Sequence, residues 1–360
     1  MRTLCFLLFC ASALYSPFSH AFPEMVRNHY PNCISCHISP NGGGVLSAYG
    51  RELSGEVLST WANESEGLFA HGLIRTPEIL ALGGDIRAVQ LYENTAKYVE
   101  GRFIFMQADL EAALTLNSYQ AVATVGSDDG ELILRRHWLG YRPNDQISFR
   151  AGKFLPEYGI KTPDHEIATR KGLGFNENDE SYNFEAAWIG DRLNVFGTGI
   201  FGRLGKRSQI SEKGFALSGS YTFFDSIKPG MSYLLGSTKD SKRHIAGPWA
   251  IFGMTPHLFI LSEFDFQWNK SSDAADFTRG WVDYQRIDYE ITQGFHAYLT
   301  QEMTKLDFST SETTESYGVG IQVFPRPHFE FNLQWQKVRN LPSTTPRFND
   351  FAWILMHYYL

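Results

Sequence analysis

The clearest chemistry in this chain lies in Cys33-Ile34-Ser35-Cys36-His37, a C-x-x-C-H run. Two thiols one turn of chain apart can reach the two vinyl groups along one edge of a porphyrin. The adjoining imidazole can then swing beneath the ring and bind iron. Thioether attachment makes such a group impossible to lose by dissociation. The motif points to one covalent haem c, with Cys33 and Cys36 as tethers and His37 as an axial iron ligand. Other chemistries use paired cysteines. A redox dithiol expects a βαβ pattern around the pair, and none surrounds it. A zinc site needs a second cysteine pair or a histidine pair at suitable spacing, and neither is present. A plain disulfide stays compatible with an exported protein.

Export is written at the N-terminus. Arg2 supplies a positive start, Leu4 to Tyr15 an apolar run, and Ser19-His20-Ala21 a small-x-small cleavage site. Residues 1–21 read as a signal peptide, with the mature chain starting at Phe22. Bulky Phe9 before Cys10, and the short stretch ahead of it, argue against lipidation there. Of the 4 cysteines, Cys5 and Cys10 leave with the signal, so C-x-x-C-H uses every cysteine that remains.

Beyond the motif, Asn41-Gly42-Gly43-Gly44 reads as a turn that lets backbone approach a ring closely. Leu46, Tyr49, Leu53 and Val57 then fall at helical spacing, which predicts a helix over 45–61. Its apolar stripe suits either covering one haem face or packing on a neighbouring structure. For a sixth iron ligand the nearby candidates are His71, Met25 and His29, since axial ligands vary between His, Met and none. Met106 falls in a predicted strand and reads as packing.

From about Ile79 onward the period changes to two. Phe329, Phe331, Leu333 and Trp335 alternate with Glu330, Asn332, Gln334 and Gln336; Phe264, Phe266 and Trp268 alternate with Glu263, Asp265 and Gln267. Sixteen candidate strands follow one another, most near the ~9–11 residues that a tilted strand needs to cross a bilayer. Junctions of two or three residues, such as Asn117-Ser118 and Arg326-Pro327, alternate with longer polar stretches such as Asn269 to Asp276. An even strand number, with short turns on one rim and long loops on the other, is the arrangement of an outer-membrane barrel. Aromatics at 15% and 32 glycines suit aromatic girdles and relieved strands. No apolar stretch after the N-terminus is long enough for a membrane helix, so a membrane location requires a closed barrel, contacting outer-membrane lipid. A net charge of -7 argues against a nucleic-acid partner. The longest gap between strands, about Pro156 to Ser181, mixes Lys161, Arg170 and Lys171 with Glu157, Asp164 and Glu166, and is expected to fold into the lumen, with a solvated external loop as the alternative.

The expected organisation is a signal peptide over 1–21, a monohaem cytochrome c segment over 22–75 and a porin-like, all-β transmembrane barrel of about 16 antiparallel strands over 76–360. A haem segment this small is marginal alone, so it is expected in or against the barrel mouth. Pro23, Arg27, Tyr30, Cys33, Cys36, His37, Pro40, Leu46, Tyr49 and Gly50 resemble the N-terminal pattern of the fused monohaem cytochrome–porin family of outer-membrane proteins, which includes iron oxidases. The Gly42-Gly43-Gly44 run departs from the iron-oxidising members. The resemblance implies electron transfer through one haem between an extracellular redox substrate, ferrous iron among them, and a periplasmic electron-transfer protein. Two readings stay open beside it: a diffusion porin whose haem segment gates or plugs the channel, and a haem enzyme reducing a small oxidant such as peroxide.

Overall fold

The computed structural model describes residues 23–63, 66, 68–128, 131–164, 166–176, 178–204, 211–342 and 348–360. The expected signal peptide, with the mature start at Phe22, lies outside them. The alternating region forms sixteen strands: β1 Leu80–Asn94, β2 Val99–Leu116, β3 Tyr119–Asp128, β4 Glu131–Tyr141, β5 Ile147–Phe154, β6 Ser181–Ile189, β7 Leu193–Gly202, β8 Lys213–Tyr221, β9 Ile227–Ser237, β10 Ser241–Gly253, β11 Leu258–Ser271, β12 Thr278–Thr292, β13 Phe295–Lys305, β14 Thr313–Val323, β15 Phe329–Leu341 and β16 Asn349–Tyr359. Each pairs antiparallel with its sequence neighbours, and β1 pairs with β16 from Asp85↔Tyr359 to Asn94↔Asp350, closing the barrel. Closure leaves no unpaired strand edge, which is what lipid demands of a β-structure.

The two faces of each strand carry opposite chemistry. On β15, Phe331, Leu333 and Trp335 are exposed to the outside, while Glu330, Asn332 and Gln334 are buried toward the lumen. On β11, Phe266 points outward and Glu263, Asp265 and Gln267 inward. An apolar exterior on a closed barrel suits only a bilayer, and the architecture is that of an outer-membrane protein. Short turns such as Asn117-Ser118, Gln293-Gly294 and the one between Val323 and Phe329 share a rim with the start of β1 and the end of β16. Short turns mark the periplasmic rim in such barrels.

The gap between β5 and β6 does fold inward, and it makes the lumen less polar than simple alternation implies. Ile160 and Ile167 of this loop pack with Val26 of the N-terminal segment against Trp249, Ile251, Phe259, Leu261 and Tyr284 of the wall. Tyr158, Leu173 and Phe175 build a second cluster with Ile200, Leu234, Ile245 and Val282. Large apolar side chains buried in this way contribute roughly 1.5–3 kcal/mol each. The lumen therefore holds a packed core on the β7–β12 side.

The helix expected over 45–61 is shorter. It spans Ala48–Leu53, capped by the Ser47 hydroxyl accepting from Gly50 N at 3.0 Å, and continues as a wider π-type turn over Ser54–Leu58. Leu46 and Leu53 are buried, whereas Tyr49 is exposed, its hydroxyl bonded to that of Tyr30 at 3.0 Å. The widened turn is held by Ser59, whose N–H and hydroxyl both donate to Ser54 O, and by Gln293, which donates to the carbonyls of Glu56 and Ser59. Contacts with the rim override the regular helical pattern.

Candidate functional site

The N-terminal segment sits within the periplasmic mouth, held by the turns around it. Asn32 donates to Gly190 O at 2.9 Å; Arg27 donates to Pro256 O at 3.0 Å and pairs with Glu290 at 3.0 Å; Lys228 donates to Pro31 O. Farther along, Thr60 N donates to Phe324 O at 2.8 Å and Arg51 donates to Leu82 O. Contacts therefore reach both the β6–β12 side and the β14–β1 side of the rim.

Within this segment Cys33–Ser35 is a single 3-10 turn. Cys36 N and His37 N both donate to Cys33 O, at 3.1 and 3.0 Å. That turn brings Cys33, Cys36 and His37 together, as the spacing requires. Both cysteines are free thiols, Cys33 half-buried and Cys36 buried. Burial pushes the Cys33 thiol above its ordinary value, while the Lys228 and Lys161 charges pull it back. The chain then doubles back: Ile38 N donates to Val45 O, Ser47 N donates to Cys36 O, and His37 pairs with Leu46. The glycines form the tip of this hairpin, with φ of 79°, 70° and 69° at Gly42, Gly43 and Gly44.

The tip explains the glycines. A Cβ on Gly42 would lie 3.1 Å from Cys33 Cβ, 3.2 Å from Cys33 Sγ and 3.7 Å from the His37 ring. On Gly43 it would lie 3.5 Å from Lys161 Nζ, and on Gly44 3.5 Å from Glu111 Oε1. One face of the turn thus touches the motif and the next touches the inward loop. Lys161 fastens the two by donating to Gly42 O at 2.9 Å, and its burial pushes the ammonium down to about 8. Gly50 meets a similar limit, since a Cβ there would lie 2.4 Å from Cys36 O.

Between the segment, the inward loop and the wall lies a cavity with about 1740 Å³ of empty space, counting the part continuous with solvent. Cys33, His37 and Gly42 to Gly44 line one side and Glu157 to Asp164 another; Arg87, Arg136, Lys228 and His357 reach it from the strands. The residues fit a c-type haem. The Cys33 thiol, which would tether the group, and the His37 imidazole open on one cavity, and bare glycine backbone leaves the space beside them clear. Among the described residues no group of three or more His, Cys, Asp or Glu is placed to hold a bare metal ion.

The expected sixth ligands lie elsewhere. Met25 is fully buried beside Asn28, whose amide donates to its sulfur at 3.6 Å. His29 is exposed in a left-handed turn at φ 67°. His71 rests against the rim, its Nε2 3.1 Å from the Tyr358 hydroxyl and its ring stacked on Phe329. None of the three lines the cavity. Sequence reasoning placed Lys161 and Glu157 in the inward loop without assigning them to the site, and it passed over Lys228 and His357. The alternation of β16 carried a signal for the last, because Ile354 and Met356 face lipid and His357 must face the lumen.

No family model matches the chain, and no curated protein matches it in sequence. Solved structures match its fold. The loop L8 deletion mutant of OmpT, an outer membrane protein of Vibrio cholerae, aligns over 78% of this chain and 99% of its own at 12% identity, with a TM-score of 0.65. An anion-selective porin from Comamonas acidovorans aligns over 78% and 99% at 9% identity, TM-score 0.61. OmpF of Salmonella typhi, in complex with daunomycin, aligns over 78% and 97% at 10% identity, TM-score 0.57. The chain thus has the fold of a porin-like outer-membrane barrel.

Proposed function

We propose that this barrel carries one covalent c-type haem on Cys33 and Cys36, ligated by His37, and passes electrons across the outer membrane. A bound haem would supply reversible one-electron exchange at iron, with a potential set by ligand, burial and hydrogen bonding. The observation that carries the reading is the shared cavity: Cys33 and His37 of C-x-x-C-H open onto a space enclosed by the inward loop and the wall, inside a fold that crosses lipid, with Cys36 buried beside them in the same turn. Cys33 and Cys36 hold the group. The backbone of Gly42 to Gly44 allows close approach, and Lys161 and Arg136 present cations to that cavity. The inward loop shields it from the external side, and Tyr30 and Tyr49 stand beside it at the periplasmic side. The partners of this reading are an extracellular redox substrate and a periplasmic electron-transfer protein, as in the fused cytochrome–porin family that the N-terminal pattern resembles.

The test is to produce the full chain with cytochrome c maturation and compare it with a Cys33→Ala/Cys36→Ala variant. Covalent haem staining and electron transfer across proteoliposomes should be present in the first and absent in the second, with both barrels inserted. A wild-type barrel without covalent haem ends the proposal.

The porin-like fold favours one other reading, a diffusion channel. Against it stand two segments packed into the lumen, the N-terminal segment and the inward loop. Planar-bilayer conductance decides: a large open pore, indifferent to haem attachment, supports diffusion.

A further inference from the structure

Resting on the haem reading above, the geometry points to His357 as the sixth iron ligand. The cavity that takes in His37 has few other groups able to bind iron through nitrogen. Lys161 and Lys228 line it too, but each ammonium is engaged by a backbone carbonyl, Gly42 O and Pro31 O respectively. His357 is the remaining imidazole on the lining, only 6% exposed, at a lumen-facing position of β16. Its two nitrogens are in different situations. Nδ1 is 2.8 Å from Glu330 Oε2, and Glu330 is itself steadied by the amide of Gln322 at 2.7 Å. Nε2 is buried and makes no hydrogen bond. Asp85 Oδ1 lies 3.2 Å from Nε2, within ion-pair distance, and also accepts from Arg87 Nε at 2.9 Å, so iron binding would replace this ion pair while Arg87 keeps Asp85 paired. An imidazole whose Nδ1–H is fixed by a carboxylate, leaving Nε2 for the metal, is the usual arrangement of a ligating histidine, because the carboxylate sets both tautomer and ring direction. Glu330 is then a positioning residue.

His357 also answers a question that the other candidates leave. The shell of the iron is completed by the barrel wall and not by the N-terminal segment. One ligand, His37, arrives with the segment, and the second waits on the last strand. Ligation would join segment to barrel through the iron, a link beyond the hydrogen bonds at the rim.

The test compares ferric optical and electron paramagnetic resonance spectra of the matured full chain, wild type and variants. The wild type should be low-spin and six-coordinate. His357→Ala should turn high-spin, and added imidazole should restore the low-spin spectrum, which a merely structural role would not do. His357→Met should give a sulfur-to-iron charge-transfer band and a raised midpoint potential, and it serves as the readout if the alanine variant fails to assemble. His71→Ala, Met25→Ala and His29→Ala should leave the spectrum unchanged. If covalent haem is present but both His357 variants keep the wild-type spectrum, this assignment falls and the haem reading survives. If the wild type carries no covalent haem, both fall.

Discussion

Thr60 and Trp61 of the N-terminal segment donate their backbone N–H groups to carbonyls of the β14–β15 turn, at Phe324 and Pro325. The inward loop does the reverse: Gly159, Ile160 and Ala168 donate theirs to wall side chains, Ser232, Glu263 and Glu302, at 3.0, 3.0 and 2.7 Å. Both stretches are irregular backbone inside a barrel, where every N–H and C=O needs a partner. A segment at the rim meets turns, whose free carbonyls are the natural acceptors. A loop deeper in the lumen meets strands whose backbone is already paired, so only side chains can accept. The buried carboxylates of the wall thus serve as receptors for the loop, which is why acids stand beside the apolar clusters. In the proposed reading the two stretches would also differ in role: the segment would bring Cys33, Cys36 and His37, and the loop would roof them.

Three changes would break or sharpen this contrast. The largest effect is expected at Arg27, whose guanidinium bonds Pro256 O, pairs with buried Glu290 and lies 5.4 Å over Phe259. Arg27→Ala removes the cation of a buried pair, leaving Glu290 only the Gly294 N–H at 3.0 Å and His296 at 3.6 Å; breaking such a pair costs about 3–5 kcal/mol. The N-terminal segment should become protease-sensitive while the barrel still resists heat in detergent gels; equal resistance of both would show that the segment does not hang on this pair. Next is Tyr158→Phe. It removes the donor to Asp265 at 2.7 Å but keeps the 4.4 Å stack on Phe175. A buried acceptor left short of a donor costs about 1–3 kcal/mol. Single-channel recordings should show more frequent openings as the loop loosens, with the segment still seated. Smallest is Gly42→Ala, which forces a Cβ into the left-handed region at about 1–2 kcal/mol and against Cys33 Sγ. The yield of covalent haem should fall several-fold with barrel insertion unchanged; full yield would mean that the hairpin tip does not govern attachment.

Much of the architecture was legible in the residues. Period-two alternation in β11 and β15 located lumen and lipid faces because only one side of each strand meets water. The turn chemistry separated sixteen strands because a tilted strand has a fixed length to cross. Helix extent was less legible: Leu46, Tyr49, Leu53 and Val57 suggest a run to residue 61, yet the regular helix ends at Leu53, since Gln293 and the β14–β15 turn draw the following backbone into a wider path. The candidate ligands lay near Cys33 in sequence, but Met25, His29 and His71 do not line the cavity, and His357 reaches it from the far end of the chain.

By itself, the sequence determined what depends on neighbours along the chain: the C-x-x-C-H spacing, the strand period and the turn-rich rims. Only the tertiary structure decided what depends on closure. Pairing β1 with β16 brings His357 to the same cavity as His37, and folding the loop inward sets Lys161 against Gly42. The reason is physical: local patterns fix which way a side chain points, but which distant side chains meet is set by how the sheet closes and what fills it.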